Sequence, residues 1–120
     1  MVTFNRIAPI FPVRDVEAAL AFYEKLGFTT RMYEQGGYGF AARDGVELHL
    51  GGAADPEANG RSSAYLFVDD ADALALAWRS AGVEVHEPQD MEWGQHEGAL
   101  VDPDNNVIRF GSPIRSTATS

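Results

Sequence analysis

An internal repeat is the feature that most limits how this chain can fold. The segments PVRDVEAALAFYEKLGF and FVDDADALALAWRSAGV align with a constant offset of 55 residues. Each copy has the pattern of a strand, then a helix, then a turn. A chain of 120 residues has room for two such units. The repeat therefore predicts one small fold built from the same unit twice.

The two predicted helices have matching start and stop signals. Asp15 and Asp70 are suited to accept hydrogen bonds from free backbone N–H groups at a helix start. Gly27 and Gly82 can take the left-handed conformation that ends a helix. Apolar residues recur between these signals at helical spacing, which predicts one buried face on each helix: Val16, Ala19, Leu20, Tyr23 and Leu26, then Ala71, Leu74, Ala75, Trp78 and Ala81. The spacing favours a core position for Tyr23 and Trp78 over a binding role.

Short strand-like runs follow each helix and define the fold class. We predict strands at about 28–33, 37–43 and 46–50, and again at 83–87, 96–102 and 106–111. The turns RDG and DPDNN connect neighbouring strands as hairpins. The prediction is an α+β fold of tandem βαβββ repeats forming a curved mixed sheet around a cleft. It is one domain over 1–120, with repeat units at about 4–51 and 62–112 and a tail at 113–120.

Composition narrows the possible partners and chemistry. The net charge of −9 argues against nucleic acid as a partner, because phosphate contacts need clustered Lys and Arg. The absence of cysteine excludes disulfides, thiolate metal sites and cysteine nucleophiles. No apolar run is long enough to span a membrane, and no secretion signal is seen, so we expect a cytoplasmic protein.

Two further motifs connect the repeat to a known superfamily. FYEKLGF follows the first helix and ALVDPDNNVIRF stands near the end of the chain. With the tandem βαβββ pattern, they resemble the vicinal oxygen chelate superfamily over roughly residues 4–112. That superfamily includes glyoxalase I, extradiol dioxygenases, fosfomycin-resistance enzymes and the bleomycin-resistance proteins. The resemblance implies the fold but does not select among these functions.

The residues at the metal positions of this superfamily separate its enzymes from its binding proteins. The resemblance places those positions at Ala8, Ser63, Arg109 and either Glu47 or, two residues on, His49. Alanine has no donor atom, serine is a poor ligand and arginine has no lone pair to give. His86 and His96 show no metal-type spacing with Glu47 or His49. We therefore expect neither a metal nor a cofactor, with a metal-dependent glyoxalase- or dioxygenase-type enzyme as the alternative.

Three short segments resemble the bleomycin-resistance branch in particular: IAPIFPVRDV, SAYLFV and EWGQHEGALVDPDNN. In that branch a proline matching Pro9 ends an N-terminal strand that crosses to the partner subunit. A strand with Pro9 and Pro12 cannot donate a full set of backbone hydrogen bonds, so we expect it at a sheet edge or in a swapped arm. The resemblance implies a strand-swapped homodimer.

The same resemblance nominates ligand-binding residues. Tyr38 and Trp93 fall at the positions of the two rings, one from each subunit, that sandwich the drug. Tyr65 and Ser63 alternate along one strand and should share the cleft face. We also expect four residues near the superfamily's metal positions to line the site: Glu47, His49, Ser63 and Arg109. Three acidic residues that precede or flank Trp93 are expected to receive a cationic drug tail: Glu92, Asp90 and Glu87. A solvated acidic loop explains these three carboxylates equally well.

The resulting functional prediction is drug sequestration without chemical turnover. The expected ligand is a bulky aromatic, DNA-damaging natural product, either bleomycin-like or of an enediyne, mitomycin or anthraquinone type. Gly36 and Gly37 beside Tyr38 favour a broader, more polar polycycle. A dimeric domain with a housekeeping ligand is the remaining alternative.

Overall fold

Two copies of one βαβββ unit make up the part of the chain that the computed structural model describes, residues 1–114. The first unit runs from Met1 to Gly60, and the second begins at Arg61. The first contains β1 (Ile10–Val13), α1 (Val16–Lys25), β2 (Thr29–Met32), β3 (Tyr38–Arg43) and β4 (Val46–Gly52). The second contains β5 (Ser63–Phe67), α2 (Ala71–Ser80), β6 (His86–Asp90), β7 (Gln95–Val101) and β8 (Val107–Pro113). The predicted α+β class and the tandem repeat are confirmed.

The helices begin and end where the sequence predicts. The Asp15 carboxylate accepts from the Ala18 backbone N–H at 3.2 Å, and the Asp70 carboxylate accepts from that of Ala73 at 3.0 Å. Gly27 and Gly82 follow the helices with φ of +97° and +87°, a region that glycine enters without steric cost. Each helix has 10 residues, and no helix among the described residues is long and apolar enough to cross a membrane.

Each unit has its own four-stranded mixed sheet. The strand orders are β1-β4-β3-β2 and β5-β8-β7-β6, in which β1–β4 and β5–β8 are parallel and the other pairs antiparallel. β1 is an edge strand, as Pro12 requires, and it pairs with β4 of its own chain. Asp44 and Gly45 turn the β3–β4 hairpin with positive φ, and Asn105 does so in the β7–β8 hairpin.

One face of each sheet packs on the helix of its own unit and forms the core. Tyr23 and Trp78 are 1% and 2% exposed, which confirms the prediction that both are core residues. The remaining predicted helix faces are buried or half-buried except for Ala81, which is exposed because α2 ends at Ser80. Facing Trp78, Phe110 packs edge-on at 5.0 Å between ring centroids. The other face of each sheet is left open to carry polar and aromatic side chains.

One predicted strand boundary is wrong. The strand predicted at 83–87 lies at His86–Asp90, because Val83 completes the helix end as a buried residue with its N–H donated to the Trp78 carbonyl. β8 ends at Pro113, the residue at which the tail is predicted to begin. Residues 115–120 of that tail lie outside the described residues. The single domain over 1–120 and the repeat bounds at about 4–51 and 62–112 stay predictions.

Candidate functional site

A buried carboxylate organises the open face of the second sheet. Glu97 on β7 is only 4% exposed and accepts from three side chains on three different segments. Tyr65 Oη donates to its Oε1 at 2.9 Å and Trp93 Nε1 donates to the same oxygen at 3.0 Å. Arg109 donates to Oε2 through Nε at 3.0 Å and Nη2 at 2.5 Å. Three residues nominated from the sequence are thereby brought together by one that was not.

The protonation states of this cluster follow from burial and hydrogen bonding. Burial raises the pKa of Glu97, but the hydrogen bonds from Arg109, Tyr65 and Trp93 outweigh it, so the pKa lies below its ordinary value. Burial, followed by the hydrogen bond to Glu97, raises the pKa of the Tyr65 phenol. Glu97 is therefore an anion at neutral pH and Tyr65 a neutral donor. The cluster is a charge-balanced scaffold rather than an acid–base pair.

Glycine at position 111 makes room for this arrangement. Gly111 pairs with Glu97 across β7 and β8 and with Phe67 across β5 and β8. A Cβ atom at Gly111 would lie 2.2 Å from the Tyr65 hydroxyl oxygen. Because Gly111 has no side chain, Tyr65 can reach across β8 to Glu97.

Aromatic surface surrounds the cluster. The Arg109 guanidinium carbon lies 5.9 Å from the Tyr65 ring centroid and 6.0 Å from that of Trp93. Phe67, two residues after Tyr65 on β5, packs its ring 4.7 Å from the Tyr65 ring at an angle of 44°. Trp93 and Phe67 are 56% and 74% exposed, far more than core aromatic residues. These three rings, together with Arg109 and Glu97 of the hydrogen-bonded cluster, form a surface that we call the Trp93 platform: Tyr65, Phe67, Trp93, Arg109 and Glu97.

The turn that presents Trp93 is anchored at its base. Asp90 and His96 pair across β6 and β7. One step closer to the turn, the Met91 N–H donates to the Gln95 carbonyl. The two ring nitrogens of His96 lie 2.8 Å from carboxylates of Asp90 and Asp72. Hydrogen bonds to Asp72 and then Asp90 raise the pKa of His96. The His96 ring thus ties the hairpin to the first turn of α2.

A separate polar chain lies on the open face of the first sheet. Tyr38 Oη is 2.8 Å from His49 Nδ1, and His49 Nε2 is 2.6 Å from Glu47 Oε2. Arg6 donates to the same Glu47 oxygen at 2.7 Å. The hydrogen bond with His49, followed by that from Arg6, lowers the pKa of Glu47. The rings of Tyr38, Phe40 and His49 meet edge to face, which fixes their orientation.

Strand register decides between Glu47 and His49 at the fourth superfamily metal position. Ile10 and Tyr65 correspond in the two repeats, and they pair with His49 and Arg109 respectively. His49 therefore occupies the place of Arg109 in the first unit. Ala8, Ser63, His49 and Arg109 do not fit a divalent metal, because Arg109 already binds Glu97 and Ala8 has no donor. Within residues 1–114 no group of three His, Asp or Glu side chains is arranged to hold a metal ion.

Other nominated residues have different surroundings. Ser63 is exposed at the start of β5, and its pairing partner is Val107. Glu92 is exposed beside Trp93. Asp90 and Glu87 are bound to His96 and Arg79, which argues against their expected role as receptors for a cationic group. Sequence reasoning missed Glu97, Phe67 and Phe40; the alternation of Tyr65 with Phe67 along β5 is the one signal that could have indicated Phe67.

Comparisons with known proteins agree with this architecture. Residues 3–110 match the family model described as the glyoxalase/bleomycin resistance protein/dioxygenase superfamily. The chain belongs to this superfamily.

Within the superfamily, the similar proteins include several bleomycin resistance proteins. A bleomycin resistance protein from Klebsiella pneumoniae is 31% identical, with 88% of this chain and 90% of that protein covered. A crystal structure of a bleomycin-binding protein complexed with bleomycin is 29% identical and matches with a TM-score of 0.79, covering 92% of this chain and all of the other. The bleomycin resistance determinant encoded on transposon Tn5 is 28% identical and matches with a TM-score of 0.81, over 93% of this chain.

Proposed function

We propose that this protein sequesters a bulky aromatic, DNA-damaging natural product by stoichiometric binding, without chemical turnover. The observation that carries the proposal is Trp93, which is 56% exposed yet held in place by its indole N–H bond to buried Glu97. A ring that is fixed at its edge and open on its face is suited to stack on a flat ligand. Relatives with the same fold include a bleomycin-binding protein complexed with bleomycin.

The Trp93 platform loses little conformational freedom when it binds. Tyr65, Trp93 and Arg109 are already ordered by Glu97, so ligand binding does not have to order them. Stacking on an aromatic ring contributes about 1 kcal/mol beyond the apolar area buried. The Arg109 guanidinium, which lies near the Tyr65 and Trp93 rings, adds cation–π attraction for an aromatic polycycle bound beside it. The platform therefore favours a planar, extended ligand over a compact one.

Binding rather than catalysis is favoured by the chemistry of the superfamily's metal positions. Ala8 and Ser63 offer little to a metal, and Arg109 is engaged with Glu97. Sequestration protects DNA only in the compartment that contains it, so the protein acts in the cytoplasm.

The proposal is tested by calorimetric titration with metal-free bleomycin and with an anthraquinone-type enediyne. We expect saturation at one ligand per chain with at least one of these drugs, and an affinity loss of about tenfold or more for Trp93→Ala. Leu76→Ala is the matched control, because Leu76 is 58% exposed on α2, away from the platform. Equal losses in the two variants, or no heat with either drug, would overturn the proposal.

We further propose that two copies pair through the segment before β1, with exchange of this arm. Phe4 and Ile7 are 95% and 94% exposed, and residues 1–9 form no strand within their own chain. Arg6 is the one residue of this arm with a side-chain bond, to Glu47, among the described residues. Sedimentation analysis should show a dimer that weakens on changing Phe4 and Ile7 to Ser, because the apolar arm would lose its burial. A monomeric wild-type protein would refute the pairing.

A further inference from the structure

One row of side chains crosses all four strands on the open face of the first sheet. Ile10 pairs with His49, His49 with Phe40, and Phe40 with Arg31, so the four side chains lie on one face. The opposite face carries α1, since a Cβ at Gly39 would lie 2.8 Å from Leu20. This row is therefore not covered by the helix of its own unit.

Arg31 is unusual among the described arginines of this acidic chain. Its guanidinium carbon lies 4.1 Å from the centroid of the Phe40 ring. Among residues 1–114, no carboxylate forms an ion pair with Arg31, whereas most other arginines have one: Arg6, Arg14, Arg43, Arg79 and Arg109. Arg61 also has no carboxylate partner within this range but donates to Asn105, so among the described arginines only Arg31 has neither an ion pair nor a hydrogen bond.

The N–H donors of Arg31 are available to a ligand, because within residues 1–114 no group accepts a hydrogen bond from its side chain. A guanidinium that lies over a ring uses its face, while its N–H donors point outward in its own plane. Those donors match the two oxygens of a carboxylate or sulfonate, or one ionised phenol oxygen. Beside them, the rings of Phe40 and Tyr38 are 5.5 Å apart and those of Phe40 and His49 are 4.9 Å apart.

We propose that this row, which we call the Arg31 row (Ile10, Arg31, Phe40 and His49, with Tyr38 beside it), binds an anionic group attached to a flat aromatic ring. The ring contacts Phe40, Tyr38 and His49, and the anion binds the Arg31 guanidinium. The inference rests on the proposed function and narrows its ligand class to aromatic compounds that carry a carboxylate, a sulfonate or an ionised phenol.

The test compares anthraquinone carboxylate with the corresponding carboxamide, two probes of nearly equal shape that differ in charge. We expect wild-type protein to bind the carboxylate about tenfold more tightly, as one charge-assisted contact provides. Arg31→Gln should remove this preference. Lys25→Gln is the matched control, because Lys25 also has no acidic partner within residues 1–114 but lies on α1, away from the row. Arg31 is exposed, so the variant should fold, which a thermal melt verifies.

Each outcome decides the inference. A carboxylate preference that disappears only in Arg31→Gln supports it. Equal binding of the two probes, or a preference that survives in Arg31→Gln, overturns it while Trp93-dependent drug binding still upholds the proposed function. If neither the probes nor the two drugs bind wild-type protein, the inference and the proposed function fail together.

Discussion

Replacing Glu97 with glutamine is the most informative single change in the Trp93 platform. The side chain keeps its size and one acceptor oxygen but loses the negative charge. In the wild-type protein this carboxylate accepts four hydrogen bonds, from Tyr65, Trp93 and two nitrogens of Arg109. The amide places an N–H₂ group where one carboxylate oxygen was, so contacts to Arg109 or to the two aromatic donors are lost.

The magnitude follows from burial. Removing one partner of a fully buried ion pair costs about 3–5 kcal/mol. Glu97 is 4% exposed but the Arg109 side chain is 47% exposed, so water takes over part of its charge. We therefore expect the free energy of unfolding to fall by about 2 kcal/mol, within the range of hydrogen bonds to charged groups. The melting temperature should drop by about 8 °C for a chain of this size.

Urea unfolding measures this loss of stability, with Glu92→Gln as the control variant for Glu97→Gln. Both variants lose one negative charge on the same hairpin, but Glu92 is exposed, so Glu92→Gln should change stability by less than about 0.5 kcal/mol. Drug affinity should fall in Glu97→Gln, because Trp93 and Arg109 would no longer be held in place. If the two variants unfold within about 0.5 kcal/mol of each other, Glu97 does not organise the platform.

Three further predictions concern the elements around the sites. Because the pKa of His96 is raised in the folded protein, its protonation stabilises the fold fully below the unfolded-state pKa of about 6.5. This stabilisation is lost as the pH rises through the folded-state pKa. Across this range the melting temperature of wild-type protein should therefore fall, and that of His96→Gln should change less. Gly111→Ala should lower the free energy of unfolding by about 1–2 kcal/mol, because its Cβ would clash with the Tyr65 hydroxyl. Chemical unfolding of the double variant Gly111→Ala, Tyr65→Phe should show a loss smaller than the sum of the two single losses. Strictly additive losses would contradict this contact. Asp70→Ala should cost about 1 kcal/mol in the same assay by removing the cap of α2, and an unchanged midpoint would show that the cap contributes nothing.

Local signals were enough to predict most of the fold. The caps Asp15 and Asp70 and the following glycines fix both helices within a residue or two, because capping depends on neighbours three residues away. β6 was misplaced because Val83 and Val85 have high strand propensity, whereas HEPQD does not. That strand exists because β7 offers it backbone partners, and pairing of this kind is invisible in a local pattern.

The site was harder to predict, because its centre is formed by distant residues. Glu97 lies in a polar run and has the sequence pattern of a surface residue. It is buried by Tyr65 and Arg109, which are 32 and 12 residues away. The choice between Glu47 and His49 likewise required strand register, since a shift of two residues keeps the same face of the sheet.

The most direct test of sequestration is a DNA-cleavage assay with a fixed amount of activated bleomycin, or of the enediyne if calorimetry selects it, and increasing protein. We expect protection to rise linearly and to be complete when one chain is present per drug molecule, and we expect intact drug to be recovered after the protein is denatured. Protection of DNA by protein far below the drug concentration, or recovery of a modified drug, would contradict stoichiometric binding and indicate catalysis.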